Sequence, residues 1–479
     1  MRRIHAILTA SALALSCASA PKMQPSPVKN QAPDAWTAGS TTSDSQSIKL
    51  NWWSDFQDNG LDSLVTNALK YNYNLKAAAK RVQAARAQAT IVGAPLFPQL
   101  SLGLNGAKRR QNFIGFPIPG STPGSVLSTT TSSYGVSTNV NWEIDLWGRL
   151  RNNKAAALAD WQGTQADHLG ARLSLSGQTA KAWFAAIEAR RQLDLAQATR
   201  ANFRSVNDQI QTRYERGLRP PLDLRLSLSN VATAEAVVAQ RQQQYDSTVR
   251  QLEILLGRYP AAELAVAQDL PPMPAPVPAG LPADIIARRP DLMLVERQLA
   301  AANARVKVAK RARYPSISLT GSGGTSSANL SNLLKGDFVV WSFAGSLLQP
   351  LFQGGRLRAG VKLAEANQEQ VLANFAEQAL RAYGEVESAL IAETYLLDRE
   401  NALREASEQA VAARALAENR YTRGLSDVVT LLDSQRRAFD AEGQYLTVRR
   451  QRLDARVDLY LSLGGGFKGI EGIDKSSNH

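Results

Sequence analysis

The sequence predicts a mainly α-helical fold with a smaller set of β-strands, written twice along one chain. Three observations predict it: an internal repeat, long stretches without helix breakers, and short stretches where apolar residues alternate with small or polar ones. Arg213-Tyr214-Glu215-Arg216-Gly217-Leu218 returns as Arg420-Tyr421-Thr422-Arg423-Gly424-Leu425, 207 positions later. The same offset sets Gly257 over Gly464, and Gly148-Arg149-Leu150-Arg151 over Gly355-Arg356-Leu357-Arg358. Upstream the offset becomes 217, with Phe97-Pro98 over Tyr314-Pro315, so the copies differ by ten residues between Pro98 and Tyr134. A period of about 210 is too long for a solenoid and reads as one structural unit duplicated.

Residues 1–17 read as a targeting segment. Arg2 and Arg3 precede a mostly apolar stretch over 4–15, and Ala14-Leu15-Ser16-Cys17 resembles a bacterial lipobox in which Cys17 is lipidated. The usual Leu stands one place late, and Ala18 and Ala20 offer ordinary signal cleavage as the alternative. Either way the mature chain leaves the cytoplasm. Residues 18–48 are rich in Pro, Ser, Thr, Gln and Ala and read as a linker within an N-terminal segment, 18–60. A first repeat over 61–257, a Pro-rich linker over 258–280, a second repeat over 281–464 and a polar tail over 465–479 complete the division.

Within the first repeat, 61–92 is Ala-rich without internal Pro or Gly, and predicts one helix ended by Pro95 and Pro98. The period then changes to two. Leu100, Leu102 and Leu104 alternate with Ser101, Gly103 and Asn105, and Tyr134, Val136, Thr138, Val140, Trp142 and Ile144 do likewise. Two strands with one apolar face follow, joined by a long loop over about 106–133. The second copy repeats them at Ile317 and Leu319, then Trp341, Phe343, Gly345 and Leu347, around a loop at about 321–337.

A stretch over about 150–216 has no Pro, which at 1.5 Å per residue is roughly 100 Å of helix. Leu169, Leu173, Ser176, Ala180, Trp183 and Ile187 follow a 3.5-residue period, the spacing of knobs-into-holes packing. Gly217 and Pro220-Pro221 stop this helix, and a return helix runs from about 222 to 256. Gly424 stops the second copy, and Ser426 or Asp427 caps its return helix. The repeated hexapeptide is the end of a long helix that turns back, present once per hairpin.

Composition excludes several function classes. The formal charge of +13 is scattered along helices, without a basic block for nucleic acid; losing Arg2 and Arg3 with residues 1–16 leaves +11. His is limited to His5, His168 and His479, and Cys to Cys17, so neither a metal centre nor a Cys/His nucleophile pair is expected. No nucleophile-elbow, phosphate-loop or dinucleotide motif occurs in a suitable setting. Catalytic residues and cofactors are therefore expected to be absent, and the chain is not read as an enzyme. Past the N-terminus no run of eighteen apolar residues predicts a membrane helix.

Four strands with one apolar face are too few to close a barrel, and open edges are not tolerated in lipid. Three copies would supply twelve strands. Long hairpins with two flanks likewise need neighbours, which points to a ring with a hollow interior and to a conduit.

At this point the motifs carry a family resemblance. The stretches 51–65 (NWWSDFQDNGLDSLV), 141–152 (NWEIDLWGRLRN), 280–292 (GLPADIIARRPDL), 314–324 (YPSISLTGSGG), 349–360 (QPLFQGGRLRAG) and 420–436 (RYTRGLSDVVTLLDSQR) resemble the outer-membrane efflux lipoproteins, relatives of the TolC tunnel. The resemblance implies a homotrimer with a twelve-stranded outer-membrane β-barrel, a long periplasmic α-helical barrel and an equatorial belt that takes in parts of 18–60 and 258–280. It implies passive conduction of drugs, dyes or organic acids, driven by an inner-membrane resistance-nodulation-division pump through a periplasmic adaptor. Trp142, Trp341 and Phe343 would meet lipid, the strand–strand loops would face outside, and the two turns would form the periplasmic tip. Carried over by motif, Val429 and Asp433, with Asp223 in the other hairpin, would form a gate. The alternative is that these Asp merely stabilise helix N-termini. Tyr214, Arg216, Tyr421 and Arg423 would latch neighbouring hairpins. A type I protein-secretion tunnel, and an envelope coiled-coil scaffold, are the competing functions. The substrate is not written in the sequence.

Overall fold

A computed structural model of the chain describes residues 36–38, 49–113, 126–277, 282 and 285–466. Cys17 with the signal segment, and the tail beyond 466, lie outside them. The described chain divides into two compact units, one within 84–161 and 297–372, the other within 25–83, 162–296 and 373–466.

The first unit holds an antiparallel sheet of β1 (Gln99–Phe113), β2 (Leu127–Ile144), β3 (Ser316–Ser327) and β4 (Val339–Leu348), in that order. The register sets Leu100 beside Val140, Val140 beside Gly321 and Gly321 beside Phe343. Residues opposite one another share a face, and so do residues two apart along a strand. Leu102, Leu104, Val136, Trp142, Leu319, Trp341 and Leu347 therefore lie on the face of Leu100 and Phe343. The other face carries Ser101, Asn139, Ser322 and Ser342 in one row, with Ser322 Oγ 2.8 Å from Ser342 Oγ. The apolar face is open: Trp341 is 79% exposed and Leu104 76%. Trp142 is half-buried and donates its indole N–H to the Leu96 carbonyl at 3.0 Å.

The strands are longer than alternation predicted. Much of 106–133 and 321–337, expected as loops, continues the ladder: Ala107 to Phe113 pair with Leu127 to Ser133, and Ser322 to Thr325 with both neighbours. Backbone pairing persists there because β-branched Thr129, Thr130 and Thr131 suit a strand, although no apolar alternation marks them.

The second unit is helical, and several of its helices begin or end within the first. The helix expected over 61–92 is two, α1 (Asn59–Tyr71) and α2 (Tyr73–Gly93). Asn72 separates them: its Oδ1 accepts from the Leu75 amide at 3.0 Å and its Nδ2 donates to the Leu255 carbonyl at 3.0 Å. Asp58 caps α1, accepting from the Gly60 and Leu61 amides, and its other oxygen accepts from the Trp183 indole at 2.7 Å. The long helices are α3 (Arg149–Glu215) with its return α4 (Pro221–Leu255), and α6 (Arg356–Thr422) with its return α7 (Val428–Ser462); between them lies α5 (Pro290–Arg311). All six predicted seam residues of α3 are buried. Leu173, Ala180, Trp183 and Ile187 among them close on Trp52, Phe56, Phe184, Leu252 and Tyr460, with the Trp52 and Tyr460 rings stacked at 5.0 Å. Gly177 permits this approach, since a Cβ there would stand 2.6 Å from Leu461 Cδ1.

The Pro-rich linker is pinned at two points. Glu253, buried, accepts from the amides of Ala262, Glu263 and Leu264. Arg456, buried, pairs with Glu393 and donates to the Pro274 carbonyl at 2.9 Å. The N-terminal stretch is likewise docked at one point. Trp36 is buried among Phe375, Leu292 and Val386, and the amides of Thr37 and Ala38 each donate to the Glu387 carboxylate at 2.8 Å.

Candidate functional site: the paired helical turns

The two hexapeptides fold alike. Gly217 and Gly424 take φ of +72° and +74°, a region that favours glycine and ends a helix. Leu218 donates its amide to the Arg213 carbonyl, and Leu425 to the Arg420 carbonyl, each at 2.8 Å. The starts of the return helices differ. Asp427 caps α7 by accepting from the Thr430 amide at 2.7 Å, and this bond holds its carboxyl below the usual range. Pro220 precedes α4 and offers no side-chain cap. Of the two capping candidates in the second copy, Asp427 takes the position.

The turns are joined by a small core of Val206, Ile210, Ala417, Tyr421, Val428, Leu431 and Leu432. Tyr421 is buried at its centre, whereas its repeat-mate Tyr214 is exposed. The guanidinium of Arg213 lies 5.0 Å from the Tyr421 ring centroid and that of Arg219 5.2 Å. Arg216 and Arg423 are exposed, away from this core. Of the four expected latch residues, Tyr421 is buried between the two hairpins of this chain, and Tyr214, Arg216 and Arg423 are exposed. Arg213 and Arg219 were missed, because nothing in sequence spacing marks which Arg folds over a ring.

Val429 is exposed, and Asp433 stands one turn further along the same face of α7. Asp433 is the sixth residue of α7, beyond its first turn, so Asp427 and not Asp433 meets the helix N-terminus. Arg437 Nε and Arg436 Nη2 donate to its two carboxylate oxygens at 2.7 Å and 2.6 Å. These hydrogen bonds, that of Arg437 first, hold the carboxyl below the usual range. Asp223 lies in the first turn of α4, its carboxylate 3.7 Å from Arg219. Leu218, Leu222 and Leu425, in or next to the two turns, are exposed. Among the described residues no three His, Cys, Asp or Glu side chains converge on a metal-sized site.

The sequence model of the outer membrane efflux protein family matches the chain twice, over residues 64–258 and 281–465. The chain belongs to the outer membrane efflux protein family. The two matched stretches coincide with the two copies of the strand-pair and helical-hairpin unit. Similar relatives include the pyoverdine export outer membrane protein OpmQ of Pseudomonas putida, 32% identical over 97% of this chain and 98% of that one. The outer membrane protein OprJ of Pseudomonas aeruginosa is 33% identical over 91% of this chain and 90% of its own. Among solved structures, the open-state MtrE outer membrane channel of Neisseria gonorrhoeae superposes with a TM-score of 0.78 at 28% identity, over 94% of this chain and 99% of that one. As an outer membrane efflux protein the chain is TolC-like in fold and resides in the outer membrane of a Gram-negative bacterium. No described helix is long and apolar enough to cross that membrane.

Proposed function

We propose that this efflux protein is the passive outlet of a tripartite pump, and that three copies close its sheet into one twelve-stranded barrel. The observation that carries this reading is the sheet itself. It has one continuous apolar face open to the surroundings, one polar face, and free edges at β1 and β4. A closed barrel satisfies both requirements at once, apolar residues outward and edges paired. The helical hairpins serve as its periplasmic extension and their turns as the tip, where Val429, Asp433 and Asp223 narrow the path. Cys17 carries a lipid anchor. A periplasmic adaptor and an inner-membrane resistance-nodulation-division pump complete the assembly. The pyoverdine-export name of one relative favours a small-molecule cargo over a secreted protein. Native mass spectrometry should give three copies, and the purified protein should conduct in planar bilayers. A soluble, non-conducting monomer would refute both barrel and conduit.

A further inference from the structure

The apolar face of β1 ends in two cations. Beyond Leu100, Leu102 and Leu104, and on the same face, stand Lys108 and Arg110, both exposed. The register places Lys108 beside Ser132 and Arg110 beside Thr130, and Arg110 Nη2 donates to Ser128 Oγ at 3.0 Å. Their depth follows from the neighbouring strand. From Ile144 through Trp142, Val140 and Val136 to Tyr134 the outward residues of β2 cover ten steps. At about 3.3 Å per step and a tilt near 40°, that is about 25 Å along the membrane normal, the height of a barrel's apolar band. Ser132 and Thr130 lie two and four steps past Tyr134, so Lys108 and Arg110 project about 5 and 10 Å beyond the band, at headgroup depth. The long helices α3 and α6 follow the other ends of β2 and β4, so this is the external side. No Asp or Glu occurs anywhere in 105–135 to neutralise the pair.

We propose that Lys108 and Arg110 form a clamp for the phosphate groups of anionic lipid in the outer leaflet. A guanidinium presents paired N–H donors to phosphate oxygens, and an ammonium adds a mobile point charge. The hydroxyls of Ser128, Thr130 and Ser132 on the same face add donors that suit phosphate. Arg109, between the two cations, points to the opposite face and serves as the internal control. The clamp rests on the barrel reading above, because only an outward apolar face meets lipid.

The test uses the full chain in phosphatidylcholine nanodiscs, with insertion and copy number measured first. Diphosphoryl lipid A is then titrated against wild type, K108Q/R110Q, R109Q and the conservative K108R. Each cation beside an anionic surface changes affinity about fivefold, so K108Q/R110Q should bind about twenty-five-fold more weakly. R109Q and K108R should bind like wild type, and lipid A stripped of its phosphates should not distinguish the variants. Equal affinity of K108Q/R110Q and wild type, or an equal loss in R109Q, overturns the clamp. Failure of the wild type to insert as an oligomer overturns the barrel reading, and the clamp with it.

Discussion

Arg213 and Tyr421 meet between the two hairpins, guanidinium over ring at 5.0 Å, with Arg213 Nη2 donating to the Thr422 carbonyl at 3.3 Å. One copy of the repeat supplies the cations and the other the ring. The duplication is therefore symmetric in its turns and asymmetric in what joins them.

Arg213→Ala should loosen this junction. It removes a cation–π contact and a hydrogen bond to a helix C-terminus, together worth about 1–2 kcal/mol. Denaturant unfolding should show that loss, and single-channel records should show longer openings. Records and stability indistinguishable from wild type would mean the two hairpins are held elsewhere.

Tyr421 separates ring from hydroxyl. The hydroxyl is buried without a hydrogen-bond partner. Tyr421→Phe should therefore be neutral or stabilising by up to about 1 kcal/mol, since an unsatisfied buried polar group is removed. Tyr421→Ala should cost about 3–5 kcal/mol through the cavity it leaves. A Phe variant as unstable as the Ala variant would show that the hydroxyl has a partner in the assembly.

Asp433 is paired with Arg436 and Arg437, so the negative field of a threefold ring would be partly cancelled on the spot. Asp433→Ala should raise single-channel conductance and weaken block by multivalent cations. Arg436→Gln with Arg437→Gln should do the reverse to the block, strengthening it several-fold. If neither variant moves conductance or block, the constriction lies elsewhere on the tip.

Asp454 makes stability depend on pH. Burial between α3 and α7 pushes its carboxyl up to about 6, against the opposing pull of Arg450 and Lys181 and with added repulsion from Asp458 and Glu188. Its Oδ1 is buried without a hydrogen-bond partner. Because the folded value lies above the unfolded one, the folded protein binds the extra proton between about pH 4 and 6. The contribution of this group to stability is full below that window and is lost as pH rises through it. Asp454→Asn should gain up to about 2 kcal/mol at pH 7.5 and lose the advantage near pH 4. Thermal unfolding at the two pH values checks this; a gain independent of pH would assign the effect to packing.

Cys17→Ala should lower the yield of assembled channel more than the transport per channel. A single acyl chain holds a protein to a membrane only marginally, and a closed barrel already anchors it. Mass spectrometry of the mature N-terminus should show an acylated cysteine, and an unmodified terminus at Pro21 would end the idea.

Much of this protein is legible along the chain because its signals are local. Gly217 and Gly424 end helices by their own backbone freedom, and the 3.5-residue period of α3 marks the side that is buried. Alternation at Leu100 to Leu104 and Tyr134 to Ile144 marks the strands and their apolar face. What stayed hidden was decided by partners far away in sequence. Asn72 breaks a helix of good formers because its amide reaches Leu255. A stretch of linker composition docks at Trp36 because Glu387, 350 residues beyond Thr37, accepts the Thr37 amide.

The sequence by itself determined the duplication, the hairpins, the amphipathic strands and the family, since each rests on periodicity, breakers and short motifs. Only the tertiary structure decided which of two equivalent tyrosines is buried, which arginines cover it, and that Lys108 and Arg110 stand above an apolar band. The choice of tyrosine and arginines depends on packing between segments some two hundred residues apart, and the place of the two cations on how far β1 and β2 stay paired beyond the alternating stretch.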